Sequence, residues 1–322
     1  MRGHITVPKE SQSKLIVVIP CLNEAISISD TIHEVFRHSP AARIYVVDNN
    51  STDSTAENAT AAGAEVIFEP SPGKGRAFRS ALKAIPRDFD ALLMIDGDGT
   101  YDVSRIEDAL ELITNSGIDL VVGTRNFDSA SEKSFRRGHR IGNKGFSILS
   151  KTFHASQIED SLSGWRLMSH QFIGTFPSNS QGFEIETEIN AHARNFDLNV
   201  ANIDVHYRER SEDSFSKLRT YKDGYRILMS NFRIALQNRP LIFLGIPSIF
   251  AVLVALPLIS RAVSGYLRNG TVEQLPSLLV GTSLAAGGII FAAIGYLLEQ
   301  MRRMHVSNTR QNYFLSVRKS SR

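Results

Sequence analysis

The sequence predicts an α/β domain with a mostly parallel sheet, followed by an amphipathic interfacial helix and two membrane-crossing helices. Three observations predict it. Apolar runs without alternation, each closed by polar residues, alternate with helical patterns through the first part of the chain. That is the pattern of strands buried on both faces and covered by helices. One such run, Ala91-Leu92-Leu93-Met94-Ile95, stops abruptly at Asp96-Gly97-Asp98. Finally, two uncharged stretches toward the C-terminus are each about as long as a bilayer is thick.

In order, Leu15 to Pro20 reads as a strand, followed by Cys21, Leu22, Asn23 and Glu24. Ile26, Ile28, Ile32, Val35 and Phe36 then mark a helix. Ile44 to Asp48 is a second strand, and the turn Asn49-Asn50-Ser51-Thr52-Asp53 caps the helix that runs to Ala62. Val66 to Phe68 is a third strand, and Gly73-Lys74-Gly75 opens a helix to about Ile85. A helix through Ile106, Leu110 and Ile113 follows Asp102, and Asp119 to Thr124 is another strand, with Arg125 at its end. Further helices are expected from about Asn143 to Phe153 and after Phe183-Glu184. Val200 to Tyr207 alternates apolar with polar residues, as an outer strand does.

Composition narrows the chemistry. The chain has 322 residues, a net charge of +3 and one cysteine, Cys21. An internal disulfide and a cysteine-rich zinc site are therefore excluded. There is no GxGxxG, and Gly73-Lys74-Gly75 is not a Walker loop. Phe68 stands where that loop needs its first glycine, and Gly75 where it needs Ser or Thr. His139, His154, His192 and His206 lack metal-ligand spacing. What remains is carboxylate chemistry. Polar strand ends (Asn23, Glu24, Asp48, Asp53, Asp96, Asp98) gather along one edge of a parallel sheet, where open α/β folds bind ligands. Asp96 and Asp98 suit a hard divalent cation, Mg²⁺ or Mn²⁺, that also takes diphosphate oxygens. A loop with two solvated acids is the simpler alternative.

The C-terminal part is read as membrane-bound. Residues 1–14 form a polar tail without a signal-peptide core, which leaves the N-terminal part in the cytosol. Residues 15–217 form the globular domain. Residues 218–239 form an amphipathic juxtamembrane helix, with Leu218, Tyr221, Tyr225, Leu228 and Phe232 opposite Arg219, Lys222, Arg226 and Arg233. Residues 240–261 and 275–298 are the spans, 262–274 the external loop and 299–322 a basic cytoplasmic tail. Positive charge outside the spans puts the globular domain and the C-terminus on the cytoplasmic side. Gly281, Gly287, Gly288 and Gly295 allow close helix packing, which suits a homo-oligomer. No nucleic-acid partner is expected.

Several features now coincide in order: Pro20-x-x-Asn23-Glu24, Asp48 with Ser51 and Asp53, and Asp96-Gly97-Asp98. They resemble the family 2 glycosyltransferases of the GT-A fold. Asp160-x-x-Ser163-Gly164-Trp165-Arg166, Tyr207-x-x-Arg210, Ser216-Lys217-Leu218 and the paired spans narrow this. They resemble the polyprenyl-phosphate branch, which includes dolichyl-phosphate mannose synthases and bacterial undecaprenyl-phosphate glucosyltransferases. Gly97-Asp98-Gly99-Thr100 departs from many relatives, which carry Ala between the acids and Gln shortly after; a ligand role for Thr100 is thereby in doubt.

The resemblance implies an inverting enzyme that moves sugar from a UDP- or GDP-sugar to undecaprenyl or dolichyl phosphate. Pro20, Leu22, Asn23, Glu24, Asp48, Lys74, Asp96 and Gly97 would border the nucleotide sugar. Asp98, with Asp96, would hold the metal. Asp160 would be the catalytic base, although it could equally orient the acceptor or hold Arg166. Arg125, Arg136, Arg137 and Arg210 are candidate acceptor-phosphate ligands, since guanidinium forks match phosphate oxygens. The basic run from Lys133 to Lys144 also suits anionic lipid in general. Bland alternatives stand beside several residues: a surface position for Lys74, capping for Asp53 and Glu184, core filling for Trp165. A glycan, protein or other lipid acceptor, or a non-catalytic nucleotide-sugar-binding role, are the competing functions.

Overall fold

A computed structural model of the chain describes residues 14–126, 158–208, 229, 239–271 and 274–320. The chain divides into two compact units, Met1–Leu228 with Asn312–Arg322 and Met229–Gln311. The expected helix over 143–153 and most of the amphipathic helix lie outside the described residues.

In the first unit, β1 (Leu15–Cys21), α1 (Ile28–His38), β2 (Arg43–Asp48), α2 (Thr55–Ala61), β3 (Glu65–Phe68), α3 (Lys74–Ala84) and β4 (Ala91–Met94) alternate as the apolar runs require. There follow α4 (Ile106–Ser116), β5 (Leu120–Asn126), β6 (Arg166–Ser169), α5 (His170–Thr175), α6 (Ile185–Asn195) and β7 (Val200–His206). The strands form one sheet in the order β3-β2-β1-β4-β6-β5-β7. Among the described strands only β6 runs against its neighbours, pairing antiparallel with both β4 and β5. β7 is at the edge, as its alternation suggested.

Successive residues of each central strand feed opposite cores, which is why these strands read as unbroken apolar runs. Val17, Ile19, Val46, Leu93 and Val121 pack under Ile28, Ile32 and Val35 of α1 and Ile106 and Leu110 of α4. Ile16, Val18, Val47, Leu92, Met94 and Val122 pack under Phe78 of α3, Phe172 of α5 and Ile185 and Ile189 of α6. Gly117 ends α4 in the left-handed region at φ +64°, where a side chain would be strained. Ser169 caps α5 by accepting a hydrogen bond from the Phe172 N–H at 3.0 Å.

The chain builds outward from β1 to β3, then returns to place β4 on the other side of β1. The reversal opens a crevice beyond the carboxyl ends of β1 and β4, the standard ligand position in such sheets. Cys21 pairs in register with Asp48, and Met94 with Arg166. The residues after β1, β2 and β4, and those leading into β6, therefore meet at one edge. The insertion of β6 between β4 and β5 was not anticipated from the sequence, nor was the short helix α5.

The second unit is a helical hairpin of α7 (Pro240–Asn269) and the part of α8 (Leu275–Ser320) up to Gln311. Both helices are long and apolar enough to cross a membrane, with mean hydropathy 2.6 and 2.0 over their most apolar windows. α7 continues past the expected span and through Arg261 before Gly270 ends it. Small residues form the seam at heptad spacing. Gly281 lies against Ile259 and Leu258, Gly288 against Ser248 and Val252, and Gly295 against Leu244. The Ser248 hydroxyl donates to the Gly288 carbonyl at 2.6 Å. Three of the glycines that suggested self-association are thus used within the hairpin, while Gly287 faces open space.

A side chain at position 288 would meet the Ser248 carbonyl oxygen, 3.0 Å from an ideal Cβ. Gly288→Leu should destabilise the hairpin by about 1–3 kcal/mol, the usual cost of overpacking. Gly287→Leu should not, since leucine favours helix by up to ~1 kcal/mol over glycine. Thermal unfolding of both variants in detergent checks this. Equal stability would remove the seam as a determinant of the hairpin.

Candidate active site

The loops after β1 and β2 are tied together by side chains that bond to main chain. Asn23 adopts φ +53° and Asn50 φ +66°, a conformation that asparagine tolerates better than most residues. The Asn23 N–H donates to Ser51 Oγ at 2.9 Å, and Asn23 Oδ1 accepts from the Thr52 N–H at 2.7 Å. The Glu24 N–H donates to Thr55 Oγ1 at 2.8 Å, and Asp53 Oδ2 accepts from the Ala25 N–H at 3.2 Å. Asp48 Oδ1 accepts from the Ser51 N–H at 3.1 Å. Pro20 and Leu22 are half-buried beside them. Asn49, buried and passed over in the sequence, extends the tie. Its amide donates to the Glu69 and Ser71 carbonyls at 3.1 and 2.8 Å and accepts from the Gly73 N–H at 2.6 Å. The only sequence signal for it was its place in a polar turn after a strand.

The acidic turn after β4 rests on this platform. A Cβ on Gly97 would come within 2.5 Å of Cys21 Sγ, so only glycine lets the turn sit so close to β1. The Gly97 carbonyl accepts from Ser27 Oγ at 2.8 Å. Asp98 is buried, and its Oδ1 accepts from the Thr100 N–H at 3.1 Å and from Thr100 Oγ1 at 2.6 Å. Thr100 therefore supports the Asp98 carboxylate.

Asp96 is bound to the opposite side of the crevice. Lys74 Nζ lies 2.5 Å from Asp96 Oδ1 and 2.7 Å from Glu186 Oε1, with its side chain buried. Burial alone would lower the Lys74 ammonium. The charges of Asp96 and Glu186 outweigh it and hold the group above the ordinary lysine range. Gly75 brings α3 close to the segment before α6, where a Cβ would fall 2.5 Å from the Ser180 carbonyl oxygen. Gly164 lies against the Asp96 carboxylate and leaves no room for a side chain.

The segment before β6 supplies the second half of the site. Asp160 and Arg125 form a bidentate pair, Nε to Oδ2 at 2.6 Å and Nη2 to Oδ1 at 2.9 Å. Asp160 thus holds Arg125 and not Arg166. Burial raises the Asp160 carboxyl, but the Arg125 hydrogen bonds and charge outweigh it, and the group sits below its usual range. The Arg125 guanidinium lies 5.5 Å over the Tyr207 ring. Arg166 is fully buried and donates to the Ser163 and Ser161 carbonyls at 2.9 and 3.0 Å and to Asn190 Oδ1 at 2.6 Å. Tyr101 accepts the Gly164 N–H at 2.7 Å and packs edge-on against Tyr207. Trp165 is wholly buried and fills core. Glu184 accepts the Gln181 and Gly182 N–H groups, both at 3.0 Å, so its carboxylate ties the turn that precedes α6 and makes no side-chain cap bond to the helix itself. Arg136, Arg137 and Arg210 lie outside the described residues.

The Glycosyl transferase family 2 model matches residues 16–174. "Glycosyltransferase AglJ" of Haloferax volcanii is 31% identical over 301 residues, 89% of this chain and 96% of that protein. The chain belongs to glycosyltransferase family 2. "Protein RfbJ" of Shigella flexneri is 41% identical over 126 residues, 39% of this chain and 95% of that protein. Among solved structures, glucosyl-3-phosphoglycerate synthase from Mycobacterium tuberculosis superposes with a TM-score of 0.56 at 21% identity, over 69% of this chain and 80% of that one. The shared architecture is the GT-A fold expected from the sequence.

The donor set of this glycosyltransferase fits a divalent ion. No group of three or more His, Cys, Asp or Glu poised for a metal occurs among the described residues. Asp96 and Asp98 nevertheless share one turn, and Mg²⁺-type sites typically use one or two carboxylates plus substrate phosphates and waters. The Arg125–Asp160 pair also has a pH consequence for stability. Because the folded-state pKa of Asp160 lies below 3.8, its pairing stabilises the fold above that pH and is lost as pH falls through the lower folded value. Asp160→Asn should cost about 1–3 kcal/mol at neutral pH by leaving Arg125 without its ionic partner. Urea unfolding in detergent should show the gap to wild type closing as pH drops below 3.8. A gap that is constant with pH would mean the pair contributes no ionic stabilisation.

Proposed function

We propose that this glycosyltransferase transfers a sugar from a nucleotide-diphosphate sugar, UDP- or GDP-linked, to a polyprenyl phosphate, undecaprenyl or dolichyl, at the cytoplasmic face of a membrane. One observation carries the reading: the acidic turn Asp96-Gly97-Asp98 and the Arg125–Asp160 pair meet at one sheet edge in a chain that also holds two helices of membrane-crossing length. The Mycobacterium tuberculosis synthase, crystallised with UDP and with Mn²⁺ or Mg²⁺, supports the donor side.

In this mechanism Pro20, Leu22, Asn23, Glu24 and Asp48 border the nucleotide. Carboxylates there accept hydrogen bonds from ribose hydroxyls or base N–H groups. Asp98, with Asp96, would hold a Mg²⁺ or Mn²⁺ ion. That ion, when bound, offsets charge on the leaving diphosphate as a Lewis acid. Lys74 keeps Asp96 in place, and Gly97 lets the turn approach the nucleotide edge. Arg125 presents the Nη1 side of its guanidinium to the acceptor phosphate while Nε and Nη2 face Asp160. Arg136, Arg137 and Arg210 are proposed as further phosphate ligands. A single displacement by the phosphate oxygen inverts the anomeric carbon.

Asp160 orients Arg125 and takes any residual proton from the acceptor. A carboxylate held in its ionised form is a weak base. A phosphate monoester with a second pKa of about 6 asks for little deprotonation near neutral pH. The two apolar helices explain how the enzyme meets an acceptor carried on a long hydrocarbon chain.

A transfer assay on the detergent-solubilised protein tests the reading. It would offer labelled UDP- and GDP-sugars with undecaprenyl or dolichyl phosphate, with and without Mg²⁺ or Mn²⁺. Metal-dependent label in an organic-extractable lipid is expected. Asp98→Ala should abolish it, and Asp160→Asn should reduce turnover by about 10²- to 10⁴-fold while donor binding survives. Donor binding without any lipid product would move the assignment to another acceptor.

A further inference from the structure

The second unit carries a cleft whose residues are not among those proposed for the transfer reaction. It lies at the end of the hairpin, where α7 begins and the apolar stretch of α8 gives way to charge, and has a volume of about 470 Å³. Arg239, Arg302, Arg303 and Glu299 line it, against Leu241 and Ile242. We propose that it binds the head group of an anionic, hydroxyl-bearing glycerophospholipid of the phosphatidylglycerol type. The inference rests on reading α7 and α8 as membrane spans.

The charge arrangement argues for an anion. Glu299 accepts from Arg302 Nε at 3.0 Å and Nη2 at 2.7 Å, and from Arg303 Nε at 2.9 Å. One carboxylate thereby fixes two guanidinium groups, and their remaining N–H donors are pre-oriented for a ligand. Arg239 is exposed beside them and has no ion-pair partner among the described residues. The cleft therefore keeps an excess of positive charge. Basic pockets at the cytoplasmic ends of membrane helices bind lipid head groups through this surplus. Leu241 and Ile242 give the first carbons of an acyl chain an apolar wall, and the amphipathic ring of Tyr296 sits at the same level.

The other polar groups choose among phosphate-bearing lipids. Glu299 and Gln300 both offer acceptor oxygens within the cleft. A head group with hydroxyls beyond its phosphate can donate to them. The bare phosphate of a polyprenyl acceptor cannot once it is fully ionised, and a choline head group carries a cation that the arginines repel.

Full-length protein in mild detergent would be titrated with phosphatidylglycerol, phosphatidylcholine and undecaprenyl phosphate, following the thermal unfolding midpoint. A parallel flotation assay would use phosphatidylcholine vesicles with and without phosphatidylglycerol. Phosphatidylglycerol should raise the midpoint saturably at concentrations about tenfold below those of phosphatidylcholine. The double variant Arg239→Gln/Arg302→Gln should lose that preference, about tenfold or more for two basic residues near the surface. Arg239→Lys/Arg302→Lys should retain most of it, and far-UV circular dichroism would confirm that both remain helical. Equal response of wild type and the glutamine variant would overturn the proposal. So would saturation by undecaprenyl phosphate that excludes phosphatidylglycerol, which would assign the cleft to the acceptor. Failure to float with either vesicle would overturn the membrane reading and the proposal with it. Flotation without lipid preference would overturn the proposal alone.

Discussion

A single buried ammonium links the parts of the site. Lys74 stands at the start of α3, Asp96 follows β4, and Glu186 is in the first turn of α6. Removing these charges from water costs several kcal/mol per ion, and only close pairing offsets it. Once the three are paired, loss of Lys74 would leave two carboxylates facing each other without their cation, whereas loss of either carboxylate would leave a single ion pair. The arrangement ties the acidic turn to α6 through α3. The glycines around it follow from the same constraint. Gly75 lets the backbone of α3 approach Ser180, and Gly164 gives the Asp96 carboxylate the space a side chain would take.

The loop network below extends this rigidity to the edge proposed to hold the nucleotide. Asn23, Asn49 and Asp53 each hold a main-chain group of a neighbouring loop, and Asp48 holds one of its own. These side chains serve the fold whether or not a ligand is present. Their backbone positions are thereby set in advance, so that binding a nucleotide need not order the loops.

Much of the fold was legible because the physics was local. Strands buried on both faces must be continuously apolar, so β1, β2 and β4 announced themselves, and the polar residues after them were bound to collect at one edge. β6 was not legible. It has four residues and begins with an arginine, and its burial comes only from being inserted between β4 and β5. The site divides in the same way. Asp96, Asp98, Asp160 and Arg125 were each singled out by residue type and place. Their pairings were not, because Lys74, Asp96 and Glu186 are far apart in sequence and only the fold brings them together. Arg125 was read as a phosphate ligand and Asp160 as a base, and nothing in either local stretch says that they bind each other. Glu184 remained ambiguous because an acid at a helix start has the same sequence signature whether it caps the helix or meets a sugar.

The Arg125–Asp160 pair bears on the choice of acceptor. A carboxylate whose anion is favoured by a bidentate guanidinium gives up little by staying ionised and gains little by taking a proton. Such a group is poorly suited to pulling a proton from a sugar or serine hydroxyl, where catalysis improves as the base approaches the operating pH. It is well suited to an acceptor that arrives already anionic. The same pair then answers the difficulty an anionic acceptor brings. Asp160 alone would repel a phosphate, but Arg125, held in place by Asp160, would meet the proposed acceptor with a planar set of donors. The pairing lowers the basicity of one residue and sets the geometry of the other. Both effects favour attack by phosphate over attack by a neutral hydroxyl.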